Sequence, residues 1–465
     1  MVGIVSYGAY VPLWRVNLAE VGKGRGEKAV ANFDEDSITM AVAAGIDCLS
    51  SCGRGEVEGL YFASTTAPYV EKQSATIIAT AVDLPTQVVT ADLTDSLKAG
   101  TTALRMAVDT VAAGSARQVM VTASDLRKAS PGSPFEATYG DGAAALLVGG
   151  ENVIASIEGS YSVAAEITDN WRSQGESLPH TGEDRFILSQ GYSKATREAV
   201  VGLLGRLGLQ PKDFARVAVS GPDGRTHAEL VKGLDFHPDQ VEDPLFGTMG
   251  STGAAHALMV LVSALEKAKP GDRILVAGYG GGADAISFLV TEEIEKLGAR
   301  RGMKRHLESK RTVDYSSYLN WRDILPRAPA SVRPVKIPST TALWREQDQV
   351  LRFYGGRCKS CGKVQYPTQR VCSYCHARDQ FESVRLSDKQ AEIFTYSMDY
   401  IGGTKDVPLV VTIVNFKGGG RAILQMTDRV IEEVKIGLPV ELSFRKLREI
   451  SGIHNYFWKT IPVRA

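Results

Sequence analysis

The feature that most restricts what this chain can fold into is an internal repeat. Residues 98–124, KAGTTALRMAVDTVAAGSARQVMVTAS, match residues 250–278, GSTGAAHALMVLVSALEKAKPGDRILVAG. Both run from a small-residue turn into an apolar stretch with helical spacing, then through a Gly-containing turn into a strand. Each is followed by a tyrosine and a glycine-rich opening onto another strand, Tyr139-Gly-Asp-Gly in the first copy and Tyr279-Gly-Gly-Gly in the second. Around these copies the text alternates. VGIVSYGAYV, VEGLYFAST, QVVTADL, QVMVTASD and AAALLVGG read as buried strands, and ITMAVAAGIDCLSS and SATIIATAV as helices. Alternation of this kind predicts a buried sheet with helices on its faces, in two halves covering residues 1–150 and 151–335.

A different signal takes over later. Cys358-x-x-Cys361 is followed ten residues on by Cys372-x-x-Cys375. Each Cys-x-x-Cys turn sets two thiolates on one side of a metal, and two such turns close a tetrahedral zinc site with no open position. Gly362 follows the first pair, and a polar, Pro-containing stretch joins the two. The expected metal is structural Zn²⁺, folding a small ribbon (residues 336–385, with a lead-in helix from Thr340) that buries little apolar surface of its own. His376, beside Cys375, is an alternative ligand.

From Ala391 onward AEIFTYSMDYI, PLVVTIVNFK, RAILQMT, PVELSFRKL and HNYFWKTIPV read as short strands. Gly402, Gly403, Gly418, Gly419, Gly420 and Gly437 punctuate them. Five short strands in residues 386–465 predict a small all-β barrel of OB type. Such barrels often take oligonucleotides, but this one lacks the basic, aromatic-interleaved face that role needs.

Charge agrees, since Lys plus Arg equals Asp plus Glu at 53 each, and nothing in that balance draws the chain to nucleic acid. No apolar run reaches the roughly 18 residues of a membrane helix, and the N-terminus lacks a signal-peptide pattern. Cys48 and Cys52 lie four apart in an apolar helical stretch and read as small core residues. The expected compartment is a reducing cytoplasm.

FYGGRCKSCGKVQYPTQRVCSYC and VKIGLPVELSF, over roughly residues 340–465, resemble the zinc-ribbon/OB-fold proteins that accompany thiolase-like enzymes of acyl-CoA metabolism. ASTTAPYVEKQSATI, ADLTDSLKAGTTAL, WRSQGESLPHTGEDRF, AVSGPDGR, GSTGAAHALMVLVSALE and YGGGADA, within residues 1–330, resemble 3-hydroxy-3-methylglutaryl-CoA synthase of the archaeal type. The resemblance implies an α/β thiolase fold of two pseudo-repeated halves in five αβαβα layers. It also implies a coenzyme A thioester as substrate, and a homodimer or higher oligomer.

The resemblance also implies where chemistry should sit. The family uses a nucleophilic Cys, a Glu, a His and an Asn. Those positions carry Leu97, Thr65, Ser220 and Ser251 here. A leucine cannot accept an acyl group. Ser96 is the candidate substitute nucleophile, though Asp95 and Ser96 are equally residues that cap a helix. Some thiolase-like lyases paired with zinc-ribbon/OB domains lack the cysteine and perform aldol or retro-aldol chemistry on β-hydroxyacyl-CoA, a precedent that the resemblance brings with it. That reaction needs a proton acceptor and donors to an enolate. Candidate catalytic residues are His180, Tyr139, Tyr279, Ser96, His256 and Asp141, and candidate substrate-binding residues are Ser220, Ser251, Thr65 and Arg185. Singly, Asp141 serves as well to accept backbone N–H groups, and Tyr279 and His256 to pack in a core. The alternatives to a lyase are a non-catalytic acyl-CoA-binding scaffold for a partner thiolase, or an acyltransferase with a substitute nucleophile. The basic run KLGARRGMKRHLESKR is a solvated face or a contact for CoA phosphates, and the Pro-rich stretch after it reads as a linker.

Overall fold

The computed structural model describes residues 1–22, 24–298, 300–325, 339–402, 404–450 and 452–464. The second half of the expected linker, including the boundary at residues 335–336 and Ile337-Pro338, lies outside the described residues, as does Gly403; its first half is not extended but forms the helix Tyr315–Trp321, capped by Asp314. The chain divides into two compact units. One comprises residues 1–31 and 36–322, the other residues 32–35 and 323–465.

The first unit is built on a nine-stranded mixed sheet. Its strands run in the order Arg216–Val219, Arg273–Tyr279, Gly282–Val290, Ala155–Ala164, Gly3–Tyr10, Gly142–Gly149, Gln118–Asp125, Val57–Ala63, Val89–Leu93. The repeat is legible in that order. In each half the first strand (Gly3–Tyr10, Ala155–Ala164) pairs antiparallel with the last (Gly142–Gly149, Gly282–Val290). The strand after the repeated helix (Gln118–Asp125, Arg273–Tyr279) is parallel to its outer neighbour (Val57–Ala63, Arg216–Val219). In the sheet the halves join where Gly3 pairs with Ser156 and Ile4 with Ala155, and an isolated bridge links Tyr139 to Ser251.

Central strands buried on both faces read as continuous apolar runs, and Gly3–Tyr10 and Gly142–Gly149 are buried at every position. QVVTADL differs from its expected burial. It forms the edge strand, pairs only with Val57–Ala63, and leaves Val89 66% exposed.

The two repeated helices, Ala99–Ala112 and His256–Leu265, supply the middle of the core with Ala103, Leu104, Ala107, Leu258, Leu261 and Val262. Gly100 marks their closest approach, where an added Cβ would lie 2.3 Å from the Ala254 carbonyl oxygen. The first helix stops at Gly114 and the second before Gly271, both at positive φ. Cys48 ends a buried helix, whereas Cys52 lies beyond it and is half-exposed.

In the second unit the expected lead-in helix is two short turns, Thr340–Arg345 and Gln347–Val350. A three-stranded ribbon follows (Tyr354–Cys358, Val364–Gln365, Phe381–Arg385). The five strands Ala391–Asp399, Leu409–Phe416, Arg421–Met426, Pro439–Ile450 and Ile453–Pro462 close a barrel, matching the five segments read from the sequence. A charged cluster is buried in this unit. Arg445 pairs with Asp34, Glu35 and Asp428, Lys459 with Asp34, and Arg464 with Asp428.

Candidate active site and metal centre

The ribbon brings the four cysteines together. Their Sγ atoms all lie within 4.8 Å of one another, with Cys358 to Cys375 at 3.6 Å and Cys361 to Cys372 at 3.7 Å. A tetrahedron of sulfurs about 2.3 Å from zinc has edges of about 3.8 Å, so the set fits the metal. Both knuckles share one device. The N–H of Gly362 donates to the Cys358 carbonyl, and that of His376 to the Cys372 carbonyl, with φ of +71° and +62°. His376 therefore occupies the place of Gly362 in its own turn, and the ligand cluster consists of cysteines alone. Backbone N–H groups pointing at the Cys358 and Cys372 sulfurs hold both thiols below their ordinary pKa.

In the α/β unit the candidate residues stand at the carboxyl ends of the parallel strands. This is where open α/β sheets form their crevices. Thr65 follows Val57–Ala63, Arg127 follows Gln118–Asp125, Ser220 follows Arg216–Val219, and Tyr279 closes Arg273–Tyr279. Two cavities open there. An inner one of about 280 Å³ is walled by Leu97, Tyr139, Ser220, Ser251, His256 and Tyr279, with Phe135, Ile187 and Leu188 adding apolar surface. An outer, more polar one of about 680 Å³ is lined by Thr65, Ser96, Lys98, Lys128, Arg172 and Gly280. Leu97, Arg127 and Asn170 belong to both.

Leu97 stands two residues before the buried helix Ala99–Ala112. Ser96 donates its hydroxyl to the Gly280 carbonyl (2.9 Å) and accepts from the Lys98 N–H (3.2 Å), so it ties down the helix start. Gly280 must be glycine here, because a Cβ would sit 2.6 Å from the Lys98 nitrogen and 2.8 Å from that of Leu97. Thr65 gives both its N–H and its hydroxyl to the buried Asp125 carboxylate. Ser220 accepts from the Tyr279 N–H at 3.3 Å.

Tyr279 packs edge-on against Tyr192 (5.6 Å between ring centres). Burial first, and the negative charge of Asp169 second, push its hydroxyl well above an ordinary phenol. Tyr139 is buried with its hydroxyl unpartnered; burial raises its pKa, and Arg127 works against that. His256 begins the second helix, with its Nδ1 accepting from the Thr252 N–H at 3.2 Å. Burial holds its pKa down at about 3. His227, also buried, packs against the same Phe246 ring, and burial lowers its pKa to about 4.

Three expected residues stand apart from the cavity walls. Asp141 is fully buried, ion-paired with Arg322, and accepts from the Ala31 N–H. His180 is exposed, stacked on Trp171 and bonded to Glu176 at 3.0 Å. Arg185 is exposed on a one-turn helix. Sequence reasoning missed Arg127, Asp169, Asn170 and Tyr192, which no motif marks.

A two-halved mixed sheet with paired central helices and a cavity at their heads defines a thiolase-type fold. The chain is 34% identical over 339 residues to the hydroxymethylglutaryl-CoA synthase of Methanopyrus kandleri, an alignment covering 68% of this chain and 96% of the relative. It is 35% identical over 336 residues to that of Thermococcus gammatolerans (69% and 96%). It belongs to the hydroxymethylglutaryl-CoA synthase family. The fold agrees with MvaS in complex with 3-hydroxy-3-methylglutaryl coenzyme A, at a TM-score of 0.63 and 21% identity over 72% of this chain and 94% of that one. It also agrees with an HMG-CoA synthase complexed with CoA, at a TM-score of 0.61 and 17% identity over 68% and 89%. Residues 204–291 match the 3-oxoacyl-[acyl-carrier-protein] synthase III C-terminal family. Residues 345–382 match the ChsH2 rubredoxin-like zinc ribbon domain, and 383–445 the ChsH2 C-terminal OB-fold domain. Among the described residues no helix is long and apolar enough to cross a membrane.

Proposed function

We propose that this protein makes or breaks a carbon–carbon bond in a β-hydroxyacyl-CoA by aldol or retro-aldol chemistry, with no acyl-enzyme. The observation that carries this reading is Leu97 in the wall of both cavities, at the head of the buried helix, with Tyr279 opposite and a carboxylate close to that tyrosine. A hydrocarbon there leaves no covalent route, while a proton route remains. In the cleavage direction the β-hydroxyl proton passes to the Tyr279 oxygen as the Tyr279 proton moves to Asp169, whose carboxylate lies beside that hydroxyl. In the synthetic direction Tyr279, kept protonated by its raised pKa, delivers a proton to the new alkoxide. The four cysteines hold structural Zn²⁺, and the expected assembly is a homodimer.

The test is a panel of β-hydroxyacyl-CoAs, with product thioesters followed by mass. Turnover should survive alkylation of every accessible thiol. Tyr279→Phe should lower kcat by roughly 10²–10⁴-fold. Trapping of an acyl group on Ser96 would instead establish the acyltransferase alternative. A second reading, an acyl-CoA-binding subunit without turnover, draws on Leu97, Thr65, Ser220 and Ser251, none of which ionises near neutrality. Tight thioester binding with no product from any substrate would establish it.

A further inference from the structure

Arg127 is the one charged residue among the three that line both cavities, and among the described residues no ion pair balances it. Its guanidinium carbon lies 3.5 Å from the centre of the Tyr139 ring, a close cation–π contact that holds the group in place. Several other cations of the same unit have carboxylates: Lys98 has Asp284 at 3.0 Å, Arg216 has Glu242 at 2.5 Å, Arg273 has Glu158 at 2.9 Å, and Arg322 has Asp141; Lys28 and Arg300 have neutral oxygens instead. Among the described residues no carboxylate forms an ion pair with Arg127. Asp125, two residues away, is consumed: it accepts from the Ser64, Thr65 and Thr66 hydroxyls and from the Thr65 and Ala254 N–H groups.

A half-buried cation bears a desolvation cost that an arriving anion repays. A guanidinium held in place presents paired N–H donors suited to planar oxyanions. Arg127 lines both cavities together with Leu97 and Asn170, and Leu97 stands at the head of the helix Ala99–Ala112.

We infer that Arg127 holds the thioester oxygen of the substrate and takes up the negative charge that develops on it. The inference rests on the proposed lyase reading. As the β-hydroxyl loses its proton to Tyr279, the oxygen's electron pair forms the new C=O. The Cα–Cβ bond breaks, and its pair moves into the thioester as an enolate with its charge on the oxygen facing Arg127. A proton from water then goes to Cα and gives the acyl-CoA, and Asp169 returns its proton to solvent, so that the protons balance.

The experiment compares the wild-type chain with Arg127→Met and Arg127→Lys, each checked for an unchanged thermal midpoint. Calorimetric titration uses two probes, S-carboxymethyl-CoA, which carries a planar carboxylate near the enolate position, and S-ethyl-CoA, which carries none. Wild type should bind the carboxylate probe at least tenfold tighter. Arg127→Met should erase that gap and leave S-ethyl-CoA unchanged, and Arg127→Lys should restore part of it. With substrate, Arg127→Met should lower kcat by roughly 10²–10³-fold, as loss of one oxyanion donor does, with KM little changed. Equal weakening of both probes would make Arg127 a contact for the CoA phosphates and overturn the inference, as would no weakening of either. If Arg127→Met fails to fold, Arg127→Lys carries the same comparison. A probe gap without turnover of any β-hydroxyacyl-CoA would sink the lyase reading and leave the anion contact standing. Turnover indifferent to Arg127→Met would sink the Arg127 inference alone.

Discussion

The barrel's charged cluster and the cavities of the α/β unit treat buried polarity in opposite ways. In the ribbon and barrel, charges out of water answer one another: Asp34, Glu35 and Asp428 face Arg445, Lys459 and Arg464, and four thiols gather around one point. In the α/β unit several polar groups in and near the two cavities are left open. Among the described residues the Tyr139 hydroxyl, the Nε2 atoms of His227 and His256, and Asp169 Oδ2 lack partners, and no carboxylate forms an ion pair with Arg127. Closed sets of partners hold a fold. Open ones cost stability and are kept where something else completes them.

The sharpest way to break this contrast is to remove the metal. Chelation or Cys372→Ser should abolish hydrogen-exchange protection through Tyr354–Arg385 and leave the buried strands of the α/β unit protected. Loss of protection in both units together would end the distinction.

Next in size is Arg445→Met, which strips three buried carboxylates of a shared partner. Breaking such a cluster costs about 3–5 kcal/mol, read as a lower denaturant midpoint for the barrel.

Acid should then act on the open unit. His227 and His256 have folded pKa values near 4 and 3, below the 6.5 of a free histidine. The unfolded chain therefore takes up protons first as pH falls. Their stability is complete above pH 6.5 and drains away toward pH 4 and 3. For His227 the loss by pH 4 is on the order of 3 kcal/mol. A thermal midpoint followed against pH should slope less in His227→Phe, and an unchanged slope would remove the histidine from the account.

The smallest effect is expected at Gly280, where alanine would press on the amides of Leu97 and Lys98. Overpacking there should cost about 1–3 kcal/mol, with a larger loss of thioester affinity than of stability.

The repeat, the ribbon and the barrel were legible because each rests on local pattern. Cysteine ligands lie within one short stretch, strands announce themselves by composition, and the two α/β copies keep one order of elements. The cavity was legible only in part. Leu97, Thr65, Ser220, Ser251, Tyr139, Tyr279 and His256 line up with a repeat or a resemblance, and they do converge. Asp141 misled because its partner, Arg322, is 181 residues away, and nothing near a Gly-Asp-Gly turn reveals that. His180 and Arg185 share a stretch with Thr181, Asp184 and Ile187, which do reach the cavity, but they turn outward. Arg127 carries no motif. Its meaning comes from what its neighbours spend their hydrogen bonds on, which a linear text does not state.

The charged cluster of the barrel also has a clock in it. Asp34 leaves the ribosome early, and Arg445, which it grips at 3.3 Å, follows 411 residues later. At 5–20 residues per second that is a wait of about 20–80 s. For that interval Asn32, Asp34 and Glu35 belong to a unit that does not yet exist. A newborn chain can therefore fold its first domain around a short stretch held in reserve, and synthesis that halts before the last strands leaves buried-type charges stranded near its beginning.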